Sequence, residues 1–322
     1  MLSERPVARG PRRGVAVLLA LAWLACARAG LATYSIVAAD AQTGQVGIAV
    51  ASCVGAYDLA PLLRVVPGFG AVEVQAHTSF YAQEKLVELV SRGVAPEAAL
   101  ALVTDPAFDP RRALRQYAVV DFWGRSAAFT GEGDGVWAGD RQGSSGFIHY
   151  SAQGNLLTGS EVLVALEGGL LRADACDLSE RLMFALEAVV NAPGRGDQRC
   201  TPLGVSADSG YLRVAGMDGS ALVELDVRST GTVEPAVPLR QAYDTFRALH
   251  PCGSLPSQVV SCKGTAGALA RGSSRGAPPA PWHSGVLAGW GVAVLSVLAY
   301  LGLRRLTSRE MSAIPGNRGA GT

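Results

Sequence analysis

Thr33-Tyr34-Ser35-Ile36-Val37-Ala38-Ala39, then Asp40-Ala41-Gln42-Thr43-Gly44, then Gln45-Val46-Gly47-Ile48-Ala49-Val50-Ala51-Ser52, spells a β-hairpin. Two runs of β-branched and small apolar residues flank a polar turn that closes on glycine. Outward from it, a third strand is predicted at Gly70–Ala76 after the Pro67-Gly68 break, followed by helices over Tyr81–Ser91 and Pro96–Thr104. The second of these opens on a proline suited to a first helical position. Strands follow at Gln116–Asp121, Ser126–Thr130 and Phe147–Gln153. Helices are predicted at Ser160–Leu171 and Asp177–Val190, where Leu178, Leu182, Leu186 and Val189 share one face. Strands at Leu203–Ser206, Tyr211–Ala215 and Ala221–Val227 and a helix over Leu239–Ala248 complete the domain. Strand blocks alternating with paired helices predict an α+β sandwich of antiparallel sheets covered by helices.

Both ends of the chain read differently. Arg5, Arg9, Arg12 and Arg13 precede an apolar run from Gly14 to Ala27, the pattern of a secretory signal peptide over residues 1–32. Two cleavage points fit small residues: Ala27-Arg28-Ala29 before Gly30, and Gly30-Leu31-Ala32 before Thr33. At the other end, residues 263–284 are rich in Gly, Ala, Ser and Pro and read as a disordered linker. Gly285 to Leu303 carries no charge and is long enough for a transmembrane helix. Arg304, Arg305 and Arg309 mark residues 304–322 as a short basic cytoplasmic tail. The expectation is an exported domain, residues 33–262, anchored in the cell membrane on its extracytoplasmic side. A cut before Thr33 would give that threonine a free α-amine beside its hydroxyl, a nucleophile carrying its own base. A β-branched residue opening a strand is the plainer account of the same position.

Residues 33–262 hold 16 Lys and Arg against 25 Asp and Glu, a net of −9 hidden by the whole chain's +1. That sign argues against a nucleic-acid partner. Cys26 would leave with the leader, so five cysteines remain in an oxidising compartment. Cys252 and Cys262 bracket a short Gly/Ser/Pro loop and Cys176 and Cys200 flank a predicted helix; those pairings leave Cys53 free. No C-x-x-C or H-E-x-x-H spacing occurs and the four histidines are scattered, so no metal is expected. No phosphate-binding loop and no G-x-S-x-G elbow is present, and no cofactor is implied. Gly143-Ser144-Ser145-Gly146 reads as a flexible turn.

Thr33-Tyr34-Ser35-Ile36-Val37-Ala38, Gly47-Ile48-Ala49-Val50-Ala51-Ser52-Cys53, Val74-Gln75-Ala76, Leu114-Arg115-Gln116-Tyr117-Ala118-Val119-Val120-Asp121, Gln153-Gly154-Asn155-Leu156-Leu157 and Gly196-Asp197-Gln198-Arg199-Cys200 occur in that order. Together they resemble the DUF1028 family, which is placed in the N-terminal nucleophile (Ntn) hydrolase superfamily. The resemblance implies a four-layer αββα sandwich whose first strand carries the nucleophile. Many relatives resemble a form beginning Met-Thr, and that parallel favours cleavage before Thr33. It further implies attack by Thr33 on an amide carbonyl, with Asn155 as oxyanion donor. Asn155 after Gly154 also suits an ordinary turn.

Ser52, at the end of the second strand, is placed to orient the α-amine, or simply ends a strand. Gln75 and His77 are candidate substrate-binding residues, unless their shared face is solvated. Asp197 either lies near the site or shapes the loop fixed by Cys200. The expected substrate is a small-molecule or peptide amide, and relatives resembling fusions to a peptidoglycan-binding module suggest a cell-wall peptide. The competing expectation is a catalytically inactive surface domain that binds or acts as a scaffold. Homo-oligomers are frequent among such sandwiches, though no stretch identifies an interface.

Overall fold

The hairpin forms as β1 (Thr33–Asp40) and β2 (Gln45–Ser52), antiparallel, with Thr33 opposite Ser52 and Asp40 opposite Gln45. Its turn is closed by Gly44, at φ 66°, whose N–H reaches the Asp40 carbonyl at 2.9 Å. The Asp40 carboxylate caps the Gln42 N–H at the same distance. These features come from a computed structural model that describes residues 32–257 apart from Pro193 and Arg195. Most of the leader, Cys262, the linker, the expected membrane helix and the basic tail lie outside the described residues. Among the described residues, no helix is long and apolar enough to cross a membrane.

Among the described residues, eight further strands complete two sheets with β1 and β2: β3 (Leu63–Val66), β4 (Gly70–Ala76), β5 (Arg115–Asp121), β6 (Ser126–Thr130), β7 (Ala138–Ser145), β8 (Ile148–Asn155), β9 (Ser209–Ala215) and β10 (Ala221–Val227). The six-stranded sheet runs β10-β9-β2-β1-β8-β7 and the four-stranded sheet β3-β4-β5-β6, all neighbours antiparallel. The helices among the described residues are α1 (Phe80–Ser91), α2 (Pro96–Val103), α3 (Glu161–Leu170), α4 (Leu178–Val190) and α5 (Ala236–Leu249). Ser79 caps α1 by accepting the Ala82 N–H, and Asp177 caps α4 by accepting that of Glu180.

Strand alternation sorts the side chains into three apolar layers. Tyr34, Ile36 and Ala38 meet Val162 and Leu166 of α3 and Leu182 and Leu186 of α4. On the other face of the same strands, Val37, Ile48 and Val50 pack with Ala71, Ala118 and Val120 of the second sheet. Val72, Val74, Tyr117 and Val119 then meet Ala82 and Leu86 of α1 and Ala99 and Val103 of α2. Each larger apolar side chain in these layers contributes roughly 1.5–3 kcal/mol by leaving water. Gly47 lets the layers close. A Cβ there would lie 2.5 Å from the Arg213 carbonyl oxygen and 2.8 Å from Leu182 Cδ1.

Three expectations are corrected, and one strand is new. The expected strand at Leu203–Ser206 is instead a single 3-10 turn, Thr201–Leu203, ended by Gly204 in a left-handed conformation. Gly143-Ser144-Ser145 belongs mostly to β7, an edge strand so exposed that it carries no apolar alternation. The short strand β3 follows a 3-10 turn and had no pattern of its own. The disulfides are Cys53–Cys200 and Cys176–Cys252, with Cα separations of 5.7 and 5.8 Å, so Cys176 and Cys200 are not partners, Cys252 does not pair with Cys262, and Cys53 is not free. Tertiary packing decides these pairs. Asp197 draws the loop before Cys200 onto the Cys53 N–H, and Arg247 of α5 pairs with Asp177, bringing the segment after α5 to the start of α4.

Candidate active site

Thr33 opens β1, in the middle of the six-stranded sheet, and is flanked in register by Ser52 on β2 and Asn155 on β8. Directly opposed residues on neighbouring strands share a face, so the three side chains converge. All three are buried. Thr33 Oγ1 stands 3.1 Å from Ser52 Oγ, and Ser52 Oγ donates to the Ala32 carbonyl. A serine hydroxyl has one proton, so with that proton committed to Ala32 it is the Thr33 hydroxyl that donates to Ser52.

The Ala32 carbonyl also accepts from Arg199 Nη2 at 2.9 Å. Arg199 is aimed by Asp197, whose Oδ2 lies 3.0 Å from Nη2 and whose Oδ1 accepts from Nε. Asp197 is itself fully buried and takes the backbone N–H groups of Cys53 and Arg199, each at 2.8 Å. A buried carboxylate needs such a set of donors. The Cys53–Cys200 disulfide fastens the same loop to the end of β2, one residue beyond Ser52. Asp197 therefore shapes the loop and, through Arg199, is linked to the Ala32 carbonyl that precedes Thr33.

On the other flank, Asn155 Nδ2 donates to Gln116 Oε1 at 3.2 Å. Gln116 cannot be turned around. Its Nε2 faces three acceptors, Thr130 Oγ1, the Gly139 carbonyl and the Gly154 carbonyl, at 2.9–3.0 Å. Gln75 Nε2 donates to the same Gln116 Oε1 at 2.6 Å, and Ser35 Oγ donates to Gln75 Oε1 at 2.9 Å. Gln75 thus belongs to a buried polar chain between the sheets, not to a solvated face. His77 is engaged differently. Its N–H reaches the Leu114 carbonyl and its own carbonyl accepts from Arg115, which is paired with Asp109 at 2.7 Å; none of these contacts brings its ring to Thr33.

Two residues at this end of the sheets adopt positive φ without being glycine: Ala76 at 62°, immediately after Gln75, and Leu156 at 51°, immediately after Asn155. Such conformations cost roughly 1–2 kcal/mol per residue. Here they turn the chain sharply just past each amide. Gly154 leaves room for the turn; a Cβ on it would lie 2.4 Å from Leu157 Cδ1 and 3.1 Å from the Thr33 carbonyl oxygen.

Sequence reasoning brought together Thr33, Ser52 and Asn155 and missed Gln116 and Arg199. Gln116 had a signal: a glutamine leading into the apolar run 117–120, opposite Gln75 in the ladder. Arg199 stood in the run of residues 196–200 that carries the family resemblance, but without a role assigned to it. Two clusters among the described residues have metal-ligand proximity, Cys53, Cys200 and Asp208, and Cys176, Glu180 and Cys252. In both the sulfurs are bonded to each other and offer no thiolate.

A mixed α+β domain of two antiparallel sheets with a buried hydroxyl and amide cluster at one end is the class that fold and site define. Its residues 33–237 match the model of a family of unknown function, DUF1028, and the chain belongs to that family. Among solved structures, it is similar to protein SPO2555 from Silicibacter pomeroyi, assigned to the same family, at 28% identity and a TM-score of 0.53. That similarity covers 67% of this chain and 89% of the other. No curated protein matches the chain.

Proposed function

We propose that this protein is an Ntn-type hydrolase, exported and anchored in the cell membrane, that cleaves the C–N bond of a small-molecule or peptide amide through Thr33. The observation that carries the reading is the placement of Thr33 at the start of a central strand between Ser52 and Asn155, with its Oγ1 3.1 Å from Ser52 Oγ. The family match begins at the same residue, where the leader pattern ends. The order of layers, helices on the six-stranded sheet, that sheet on the four-stranded one and helices beyond it, supports an αββα sandwich of the Ntn kind.

On this reading, removal of residues 1–32 leaves Thr33 with a free α-amine of ordinary pKa about 7.7–8.0, partly neutral near pH 7. The amine takes the proton of Oγ1 as that oxygen attacks the substrate carbonyl. Asn155 Nδ2 has a second proton with which to meet the developing oxyanion. The amine then passes its proton to the leaving nitrogen, the C–N bond breaks, and water releases the acyl group from Oγ1. Ser52 and Arg199, which hold the Ala32 carbonyl, are placed to hold the amine and the incoming acyl oxygen once residue 32 is gone.

Intact mass and N-terminal sequencing of protein recovered from membranes test the first step, and turnover of an amide library by Thr33→Ala and Thr33→Ser tests the second. A chain beginning at Thr33, active as Ser and inactive as Ala, is expected. An active protein beginning at Gly30, or an active Thr33→Ala protein, would sink the proposal, and binding assays would then test the non-catalytic alternative.

A further inference from the structure

Glu73 lies on β4 with its side chain between the two sheets, fully buried, and among the described residues neither carboxyl oxygen makes a hydrogen bond of good geometry. Ser35 of β1 and Gln153 of β8 stand against it. Its partners in the ladder are Leu63 on β3 and Ala118 on β5. None of these four residues carries a charge, and no neighbouring charge acts on the carboxyl. The Gln153 amide is likewise without a partner at either end, as is the Ser151 hydroxyl two residues along the same face. Burial pushes the carboxyl up to about 7, against the opposing hydrogen-bonding influence of the Ser35 and Gln153 side chains.

Ser35 is the junction. Its hydroxyl donates to Gln75 Oε1 at 2.9 Å, and Gln75 in turn donates to Gln116 Oε1, the atom that also accepts from Asn155. We propose that Glu73 is a buried proton switch that sets, through the positioning residues Ser35, Gln75 and Gln116, how firmly the Asn155 amide is held beside Thr33. With Glu73 neutral, Ser35 serves Gln75. An ionised carboxylate is the stronger acceptor, so loss of the proton turns the Ser35 hydroxyl from Gln75 to Glu73. Gln75 Oε1 is then without its donor, the Gln75 amide loosens, and Gln116 Oε1 loses the 2.6 Å bond from Gln75. Gln116 itself stays fixed by its three acceptors, so the change falls on the Asn155 bond. The catalytic meaning of this rests on the hydrolase reading; the relay does not.

The full-length protein, labelled with 15N in the Asn and Gln side-chain amides and 13C in the Glu carboxyls, is titrated from pH 5 to 9 by NMR. The expected result is a Glu73 carboxyl that titrates near neutrality, with Gln75 and Asn155 amide shifts following the same midpoint. In Glu73→Gln the component of those amide shifts that follows the Glu73 midpoint is lost, and any response that remains belongs to the Thr33 α-amine or Asp134. In Ser35→Ala, Glu73 still titrates and the Asn155 response is lost. A Glu73 midpoint near 4.5, an Asn155 amide indifferent to Glu73, or an Asn155 response undiminished in Ser35→Ala would each overturn the proposal. Because no substrate is present, these outcomes are independent of whether Thr33 turns over an amide.

Discussion

Thr33 and Asn155 face each other as the first residue of one strand and the last of its neighbour, so the hydroxyl and the amide meet where the sheet ends. One member of the pair is tied through Ser52 to the Ala32 carbonyl, the other through Gln116 to the layer between the sheets.

Arg199→Met is expected to lower stability by about 1–3 kcal/mol in urea denaturation, because Asp197 stays buried with its backbone donors but without its cation. The figure is held down by the partial exposure of the guanidinium. An unchanged urea midpoint would show that the ion pair does not fix the loop.

Non-reducing peptide mapping is expected to link Cys53 to Cys200 and Cys176 to Cys252. The first bridge spans 147 residues of sequence, and replacing both its cysteines by serine should cost about 2–5 kcal/mol. Recovery of a Cys176–Cys200 peptide would contradict the fold at this loop.

Much of this was legible beforehand, and the physical reasons are specific. The β1–β2 hairpin could be read because Asp40-Ala41-Gln42-Thr43-Gly44 carries its own turn chemistry, and the face of α4 because four apolar residues recur at helical spacing. β7 could not, since an exposed edge strand such as Ala138–Ser145 is held by its ladder with β8 and has no buried face to leave a pattern. The cysteine pairs were illegible because partner choice depends on where Asp197 and Arg247 draw their segments, not on spacing. Gln75 read as a candidate substrate-binding residue or as half of a solvated face beside His77. Only the second sheet, stacked against the first, turns that face inward.

Stability should fall as pH rises through neutrality. Glu73 has a folded pKa of about 7 against an ordinary 4.5, so the native state binds the extra proton between those values. Its contribution is most favourable below about pH 4.5, is lost as pH rises through about 7, and levels off above. A shift of this size corresponds to about 3 kcal/mol. Glu73→Gln should remove that share of the slope in urea midpoints between pH 5 and 8. Asp134, also raised to about 7 by burial, supplies a second share that this variant keeps.

Ala76→Gly is expected to leave stability unchanged or raise it by up to about 1 kcal/mol. Glycine relieves the positive φ at that position, and the gain offsets the greater flexibility of the unfolded chain. A thermal midpoint lowered by several degrees would mean that the Ala76 methyl, buried at the site's edge, matters more than the strain.

Chain ends ordinarily fray, and the first residues of a protein are where exopeptidases and acylating reagents find purchase. β1 has a hydrogen-bonded neighbour on each side along its whole length, from Thr33 opposite both Ser52 and Asn155 to Asp40 opposite both Gln45 and Ile148. A chain trimmed to begin at residue 33 would therefore end inside a sheet. Its terminus would exchange its amide protons as slowly as a core strand, and resist aminopeptidases for as long as the domain stays folded.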